Sequence, residues 1–425
     1  MATEKKNAFS AKISRRQVLK GALASAATVS TIAMWPKILR AAEETLQIGV
    51  VSPASGNFGD QGASERRGME MAVREFNAKG GVLGKKVEML VEDDQTNPMV
   101  AARKARALVQ RDKVKFMIGG ISSATCVAVG QVADLEKVIY VITNGNAEDL
   151  TGALCNRYMF RVPFDSISCC AFMAEYVLKE IGKKWYMFTH DYKGGQDSAR
   201  MVKKLLAKNG GTLLGETMIP MGTSDFSAYL LKVREVKPEV FITNVYGTDF
   251  INLMKQAYEF GISKEFPMAS PLKDYSDAWA LGPNISKGIA PMEWYHYGHP
   301  GAKAFVEAYQ KNFPAAAVPI PENTCYCGYV GMKALFLAII KAGTATDTKK
   351  VVSAFETLKF LEPANDGEVY VQEWDHQFIQ NYYLVQAKEE KNMKDRTDLF
   401  EVLKIAKVSD YTLKREESAC KLQKL

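Results

Sequence analysis

The chain has 425 residues, of which 47% are hydrophobic, and a formal net charge of +7. Residues 1–42 hold eight Lys or Arg and one Glu, which leaves 47 basic and 47 acidic residues in the rest of the chain. A neutral body gives no electrostatic basis for binding nucleic acid or an anionic membrane. At about 380 residues it is long enough for two domains.

The first 42 residues resemble an export signal. Residues 14–20 contain the adjacent pair Arg15 and Arg16, and a weakly apolar stretch follows at 21–33. That stretch is too short and too polar to span a bilayer. The pattern therefore predicts a twin-arginine signal peptide over residues 1–42 and a periplasmic location.

The next segment, residues 46–94, predicts a strand, a loop, a helix and a second strand. The apolar run 46–51 is typical of a buried strand, and residues 52–62 are a glycine-bearing loop without helical periodicity. A βαβ opening implies a parallel sheet, whose ligands lie at the carboxyl ends of the strands. The loop matches neither GxGxxG nor GxxxxGK[ST], so no phosphate-binding loop is expected.

The same strand-loop-helix order then recurs along the chain. Expected strands lie at 114–119, 138–143, 158–163, 185–189, 217–219 and 240–244, and expected helices at 98–111, 126–135, 199–208, 250–260 and 329–342. This order predicts an α/β fold with two doubly wound, Rossmann-like lobes in series.

From about residue 46 onward the chain resembles a known family. Segments 76–94, 114–123, 223–230 and 255–262 are similar to periplasmic solute-binding proteins of the branched-chain amino-acid (Leu/Ile/Val-binding) type, which serve ABC importers. The resemblance implies a type I fold, in which three crossovers join two lobes that close over a ligand. We place the crossovers near 161–163, 289–292 and 367–371. Lobe 1 is then 45–161 with 292–367, and lobe 2 is 162–291 with 368–425.

The resemblance also implies a function. The expected ligand is a small carboxylate-bearing solute, namely an amino acid or a related organic, aromatic or keto acid. The expected partner is an ABC permease of the inner membrane. We expect a monomer that has no cofactor, binds no metal and has no enzyme activity. A solute-sensing receptor with the same clamp and a secreted α/β enzyme are the alternatives.

Polar residues follow two strands of the first lobe. Ser122, Ser123 and Thr125 lie where a strand ends and a helix begins, and exposed N–H groups at such a place favour a carboxylate. The resemblance assigns the ligand carboxylate to Ser123. Asn144 and Asn146 follow the next strand, and Asn146 stands where the family commonly has a Thr or Ser hydroxyl.

Aromatic residues are the other candidates. The resemblance implies that Phe58, in the first loop, covers the ligand side chain. It also implies one tyrosine on each of two loops of the second lobe. Tyr246 stands at one of these positions. In the other loop the sequence is shifted, and Tyr192 substitutes for the expected tyrosine.

One family residue is missing. Amino-acid binders of the family carry a Glu for the ligand ammonium after the strand near 266–269, where this chain has Pro271 or Leu272. A buried ammonium without a counter-charge would be costly. The absence favours a ligand without an α-amino group, and an amino acid remains open if Asp274 or Asp277 reaches the cleft.

Two further patterns suggest other chemistry. His190 and Asp191 end a strand, a position that suggests a catalytic pair, but the nucleophile motif G-x-S-x-G is absent. Residues Glu293, His296 and His299 have the spacing of metal ligands on a helix, but flanking prolines predict an extended segment, so no metal is expected. Three aromatic residues of this segment are candidates to line the cleft near a hinge: Trp294, Tyr295 and Tyr297.

The chain has seven cysteines, an odd number. The adjacent pair Cys169 and Cys170 and the pair Cys325 and Cys327 lack zinc-site spacing. Residues 150–155 and the late Cys420 resemble a twin-arginine-exported branch of the family, which implies a disulfide between Cys155 and Cys420.

Overall fold

The computed structural model describes residues Thr45–Lys424. The signal peptide expected over residues 1–42 lies outside these residues. The described chain is α/β throughout, with strands and helices alternating over most of its length.

The strands are β1 Leu46–Ser52, β2 Val87–Asp93, β3 Phe116–Gly119, β4 Ile139–Ile142, β5 Met159–Arg161, β6 Lys184–His190, β7 Thr212–Ile219, β8 Val240–Asn244, β9 Met268–Ala269, β10 Ile289–Met292, β11 Lys359–Glu362, β12 Gly367–Val371, β13 Phe378–Ile379, β14 Asn381–Ala387 and β15 Phe400–Lys407. The helices are α1 Gly59–Ala78, α2 Pro98–Gln110, α3 Ser123–Glu136, α4 Ser166–Glu180, α5 Lys193–Lys208, α6 Ser227–Val236, α7 Thr248–Glu259, α8 Ile262–Glu265, α9 Tyr275–Leu281, α10 Ala302–Asn312, α11 Asn323–Ala342 and α12 Thr348–Glu356.

The first lobe is built on a parallel sheet of five strands in the order β2-β1-β3-β4-β5. One face of this sheet packs against α1, α10, α11 and α12, and the other face packs against α2 and α3. Strands β1, β3 and β4 are mainly apolar and buried because helices cover both faces. The strand order reverses between β1 and β3, which opens a crevice at their carboxyl ends.

The second lobe contains a sheet of seven strands in the order β15-β14-β10-β9-β8-β6-β7. Strands β6 to β10 are parallel, whereas β14 runs antiparallel to β10 and to β15. Helices α4 and α5 cover one face, and α6 and α7 cover the other. The predicted α/β fold with two doubly wound lobes is confirmed.

The chain changes lobes three times. It leaves the first sheet after β5, and it returns to the first lobe after β10. The third crossover was expected at 367–371, but β12 there pairs with β11 and β13 in a small sheet that packs on the first lobe. The second sheet is re-entered only at β14. We therefore propose that the first lobe extends to β13, because the β11–β12 hairpin keeps the chain there.

Three helices begin earlier than the sequence pattern predicts. Helix α1 starts at Gly59, inside the expected loop 52–62, and α3 and α5 start at Ser123 and Lys193 instead of near 126 and 199. Their first turns consist mainly of small or polar residues, which give no apolar periodicity. At Gly62 a β-carbon would lie 1.9 Å from the Pro53 carbonyl oxygen, so the polar first turn of α1 packs tightly against the loop.

Helix α11 is the central helix of the first lobe. Within Thr45–Lys424 it is the one helix that is long and apolar enough to span a membrane, yet most of it is buried against the sheet and α1. Helices α1 and α11 touch backbone to backbone, since a β-carbon on Gly68 would lie 1.8 Å from the Cys325 carbonyl oxygen.

Candidate functional site

The carboxyl ends of the two sheets face each other across a cleft, and side chains bridge it. The Asn57 Nδ2 group donates to the Tyr246 carbonyl oxygen at 3.1 Å, and Gln61 Nε2 donates to Asp277 Oδ1 at 2.9 Å. Asn323 Nδ2 donates to Asp274 Oδ1 at 3.1 Å. Asn57, Gln61 and Asn323 belong to the first lobe and their partners to the second. The lobes are therefore in contact, with the cleft closed.

The N-terminus of α3 forms one wall of the cleft. Ser122 is its extended N-cap, and Ser123 Oγ accepts hydrogen bonds from the backbone N–H groups of Asn146 (3.2 Å) and Ala147 (3.1 Å). No acceptor for the Ser123 hydroxyl hydrogen exists among the described residues. A β-carbon on Gly194 of α5 would lie 3.0 Å from Ser123 Oγ, so the starts of α3 and α5 converge here. Two helix N-termini at one point form an environment that favours an anion.

The side chains of the other polar candidates in the first lobe form hydrogen bonds to other residues of the protein. Thr125 Oγ1 donates to the Ser122 carbonyl oxygen at 2.8 Å, inside α3. Asn144 Nδ2 donates to Glu65 Oε2 at 3.1 Å, and burial raises the pKa of Glu65. Asn146 Nδ2 donates to the Phe164 carbonyl oxygen at 2.9 Å, in the first crossover. Thr125, Asn144 and Asn146 each donate to another residue of the protein, whereas the Ser123 hydroxyl donates to no described residue. All four remain predicted ligand contacts.

The three predicted aromatic residues come together across the cleft. The ring centres of Phe58 and Tyr192 are 6.0 Å apart, and those of Tyr192 and Tyr246 are 6.4 Å apart. Burial raises the pKa of both tyrosines, so their hydroxyls stay neutral hydrogen-bond donors. The Tyr246 hydroxyl donates to Asn244 Oδ1 at 2.6 Å, while within Thr45–Lys424 the Tyr192 hydroxyl has no hydrogen-bond partner.

His190 supports this aromatic group. Its Nε2 lies 2.8 Å from Asp249 Oδ2, and its Nδ1 is 3.4 Å from the backbone nitrogen of Tyr246. Asp191 is exposed and accepts a hydrogen bond from Gln196. The two residues thus point to different partners, which does not support a catalytic pair.

Two buried carboxyl groups in the cleft were not predicted as a pair. Asp274 precedes α9, Glu293 follows β10, and Asn323 Nδ2 donates to both, at 3.1 Å and 2.9 Å. Their exposed fractions are 8% and 2%. Burial raises the pKa of Glu293 to about 7 and also raises the pKa of Asp274. No Lys, Arg or His in Thr45–Lys424 forms an ion pair with either carboxyl group.

The sequence contained a signal for both acids. The expected Glu position holds Pro271 or Leu272, but the chain turns after β9, where Ser270 Oγ donates to the Leu272 carbonyl oxygen. Asp274 therefore reaches the cleft a few residues later. Glu293 directly follows the carboxyl end of β10, the edge of the sheet where ligands bind in this class of fold.

The metal hypothesis for Glu293, His296 and His299 finds no support. The segment is not helical, and His296 Nε2 contacts Thr397 Oγ1 at 3.2 Å whereas His299 Nε2 contacts Asp366 at 3.1 Å. No group of three potential metal ligands occurs in the described part of the chain.

The neighbouring aromatic residues do not line the cleft. Trp294 lies in the core of the first lobe and Tyr295 in the cluster between α9 and β14. Tyr297 is 38% exposed at the surface, where its hydroxyl donates to Asp395.

The disulfide expected between Cys155 and Cys420 is confirmed. The other cysteines are reduced and buried: Cys126, Cys169, Cys170, Cys325 and Cys327. Burial raises the pKa of the Cys325 thiol, which makes it unreactive.

Comparisons with known proteins agree with this architecture. A Leu/Ile/Val-binding protein homologue of Brucella abortus is 28% identical over 344 residues, which cover 77% of this chain and 84% of that protein. The crystal structure of a periplasmic binding protein from Burkholderia mallei has a TM-score of 0.83 and 27% identity, and covers 90% of this chain and 100% of that one.

A third similar structure is a solute-binding protein of an ABC transporter from Rhodopseudomonas palustris, solved with 3,4-dihydroxybenzoic acid. It has a TM-score of 0.77 and 23% identity, and covers 86% of this chain and 98% of that one. At this identity the match concerns the fold alone. All three similar proteins are described as binding proteins.

The sequence pattern of the family described as periplasmic binding protein matches residues 45–393, which include the first lobe and the second lobe up to β14. With its type I fold, the chain belongs to the periplasmic binding protein family.

Proposed function

We propose that the protein captures a small zwitterion, an amino acid or a close analogue, in the cleft and delivers it as a monomer to an ABC permease of the inner membrane. The observation that carries this proposal is the buried pair Asp274 and Glu293, which lies in the same cleft as the N-terminus of α3. A ligand with a carboxylate and an ammonium group fits this cleft, because the N-terminus of α3 favours the carboxylate and the two acids favour the ammonium.

The ligand carboxylate binds at the start of α3. Ser123 offers its free hydroxyl hydrogen there, and the backbone N–H groups of the first turn point the same way. Charge-assisted hydrogen bonds of this kind contribute about 1.5–3 kcal/mol each. The tyrosine and phenylalanine rings cover the remaining part of the ligand.

The ligand ammonium binds between Asp274 and Glu293. Two buried carboxyl groups without a cationic partner are costly in their ionised form, so a cation that enters the closed cleft is favoured. This replaces the expectation, drawn from the missing family Glu, of a ligand without an α-amino group. A ligand with only negative charge, such as an aromatic or keto acid, would meet like charge at this end.

A thermal-shift screen tests the proposal. The panel pairs each of several amino acids with its keto acid and its amide, and adds benzoate. Because a ligand stabilises by mass action, a zwitterion at about 100 times its Kd should add about 2.7 kcal/mol to the free energy of unfolding. We expect shifts for zwitterions and none of comparable size for their keto acids or amides. Equal shifts with the keto acids would contradict the ammonium site, and equal shifts with the amides would contradict the carboxylate site.

We propose in addition that the protein reaches the periplasm by the twin-arginine pathway. The double variant Arg15→Lys, Arg16→Lys should leave an uncleaved precursor in the cytoplasm, because the exporter recognises the paired arginines. Fractionation and immunoblotting measure this, with Lys5→Arg, Lys6→Arg as the control of equal charge. A normal periplasmic yield of the first variant would exclude this route.

A further inference from the structure

The Cys155–Cys420 disulfide connects the two lobes. Cys155 lies in the segment that leads into β5 of the first sheet, and Cys420 lies beyond β15, the last strand of the second sheet. The bond is therefore a covalent connection between the lobes in addition to the three crossovers.

The C-terminal tail is anchored on the second lobe up to Tyr411. The Tyr411 ring packs on Phe172 of α4 with ring centres 5.0 Å apart, and its hydroxyl donates to Glu175 Oε2 at 2.6 Å. Lys404 Nζ donates to both Glu175 and Tyr411, at 2.8 Å each. Residues 412–420 follow this anchor, and we call them the strap.

The strap is held on the first lobe by the disulfide. From Lys414 to Cys420, every hydrogen bond within the described chain stays inside the strap, for example from Lys414 N to Glu417 Oε2 at 3.1 Å and from Cys420 N to Ser418 Oγ at 3.1 Å. No ion pair among the described residues joins the strap to the first lobe. The nine steps from Tyr411 to Cys420 reach at most about 30 Å when fully extended.

Non-covalent contacts also join the lobes at residues 148 and 149, a few positions before Cys155 in the chain. Glu148 Oε2 lies 2.6 Å from Arg200 Nη2 of α5, and the Glu148 N–H donates to Asp197 Oδ2 at 3.1 Å. Asp149 forms an ion pair with Lys193. Arg200 is half exposed, and ion pairs of such residues contribute little. When the lobes part, these contacts break, while the disulfide remains.

We propose that the Cys155–Cys420 strap limits how far the lobes separate, so that the ligand-free protein stays near its closed form. A restricted opening raises the effective concentration of each half of the site for the other. It also raises the population of the binding-competent form, and with it the apparent affinity. The affinity readout rests on the proposed binding function, whereas the shape of the ligand-free protein does not.

Small-angle scattering of the ligand-free protein tests the strap with two variants. Cys155→Ser with Cys420→Ser removes the disulfide. Insertion of six Gly-Ser residues between Lys414 and Arg415 keeps the disulfide and lengthens the strap. A compact chain of this size has a radius of gyration of about 21 Å. We expect both variants to exceed the wild-type radius, and to bind the zwitterion found by thermal shift about threefold more weakly.

The insertion variant is the decisive one, because it keeps the disulfide. Its radius can therefore be interpreted even if the serine variant folds poorly. An unchanged ligand-free radius in the insertion variant overturns the strap proposal, whatever the serine variant does. An increased radius in the insertion variant supports the strap even if no ligand of the panel binds, and failure of binding alone then counts only against the proposed function.

Discussion

Replacing both cleft acids, Asp274→Asn with Glu293→Gln, should weaken binding of a zwitterion by about 100-fold. The substitutions keep the shape and the hydrogen bonds to Asn323 but remove the charge that attracts the ammonium. Charged hydrogen bonds at a buried site are worth about 1.5–3 kcal/mol, and each 1.36 kcal/mol is a factor of ten. Isothermal calorimetry with the best amino acid of the panel and with its keto acid measures the loss.

The pH dependence of binding shows whether the charge of the cleft acids, and not only their shape, attracts the ligand. Burial raises the pKa of Glu293 to about 7, so below that pH the protonated form is favoured in the folded protein. An ammonium favours the ionised form, and binding then releases a proton. Wild-type affinity for the zwitterion should therefore rise from about pH 5 to about pH 7 and then level off, and affinity for the keto acid should fall.

The double variant should lose this pH dependence. Asp191→Asn is the matched control, because it removes an exposed acid from the same lobe. If the double variant and the control bind the zwitterion equally, Asp274 and Glu293 do not hold an ammonium.

Gly68→Ala should lower the free energy of unfolding by about 3 kcal/mol. Its β-carbon would lie 1.8 Å from the Cys325 carbonyl oxygen, and the contact is backbone on both sides, so α1 and α11 must move apart. Overpacking of this kind costs about 1–3 kcal/mol, and more when the neighbour cannot yield. Denaturation by guanidinium, followed by circular dichroism, measures the loss.

Gly59→Ala is the control on the same helix. Its β-carbon would meet no atom closer than 3.4 Å, and its backbone needs no positive φ, so the variant should have nearly wild-type stability. Equal stability of both variants would show that the contact between α1 and α11 is looser than described.

Much of the fold follows from the sequence because the strands are buried on both faces. Runs such as 46–51 and 240–244 are mainly apolar, and the structure has β1 and β8 there. Helix starts at the cleft were less predictable, since the first turns of α1, α3 and α5 face loops and the other lobe and carry few apolar residues. We propose a third crossover later than the one expected at 367–371, because strand patterns do not tell which sheet a strand joins.

The candidate site likewise contains residues that could be assigned from the sequence and residues that could not. Phe58, Tyr192 and Tyr246 were assigned from the family resemblance, and the structure brings their rings together, while their contact with a ligand stays a prediction. The two acids could not be found as a pair, since Asp274 and Glu293 are 19 positions apart and meet only through Asn323, a further 30 positions along the chain. Contacts made by lobe closure leave no local pattern in the sequence.

The most direct test of the account is a crystal structure of the protein with the amino acid that gives the largest thermal shift. We expect the ligand carboxylate within hydrogen-bond distance of Ser123 and the backbone N–H groups of α3, and its ammonium between Asp274 and Glu293. A ligand bound outside the cleft, or one whose ammonium lies away from both acids, would contradict it.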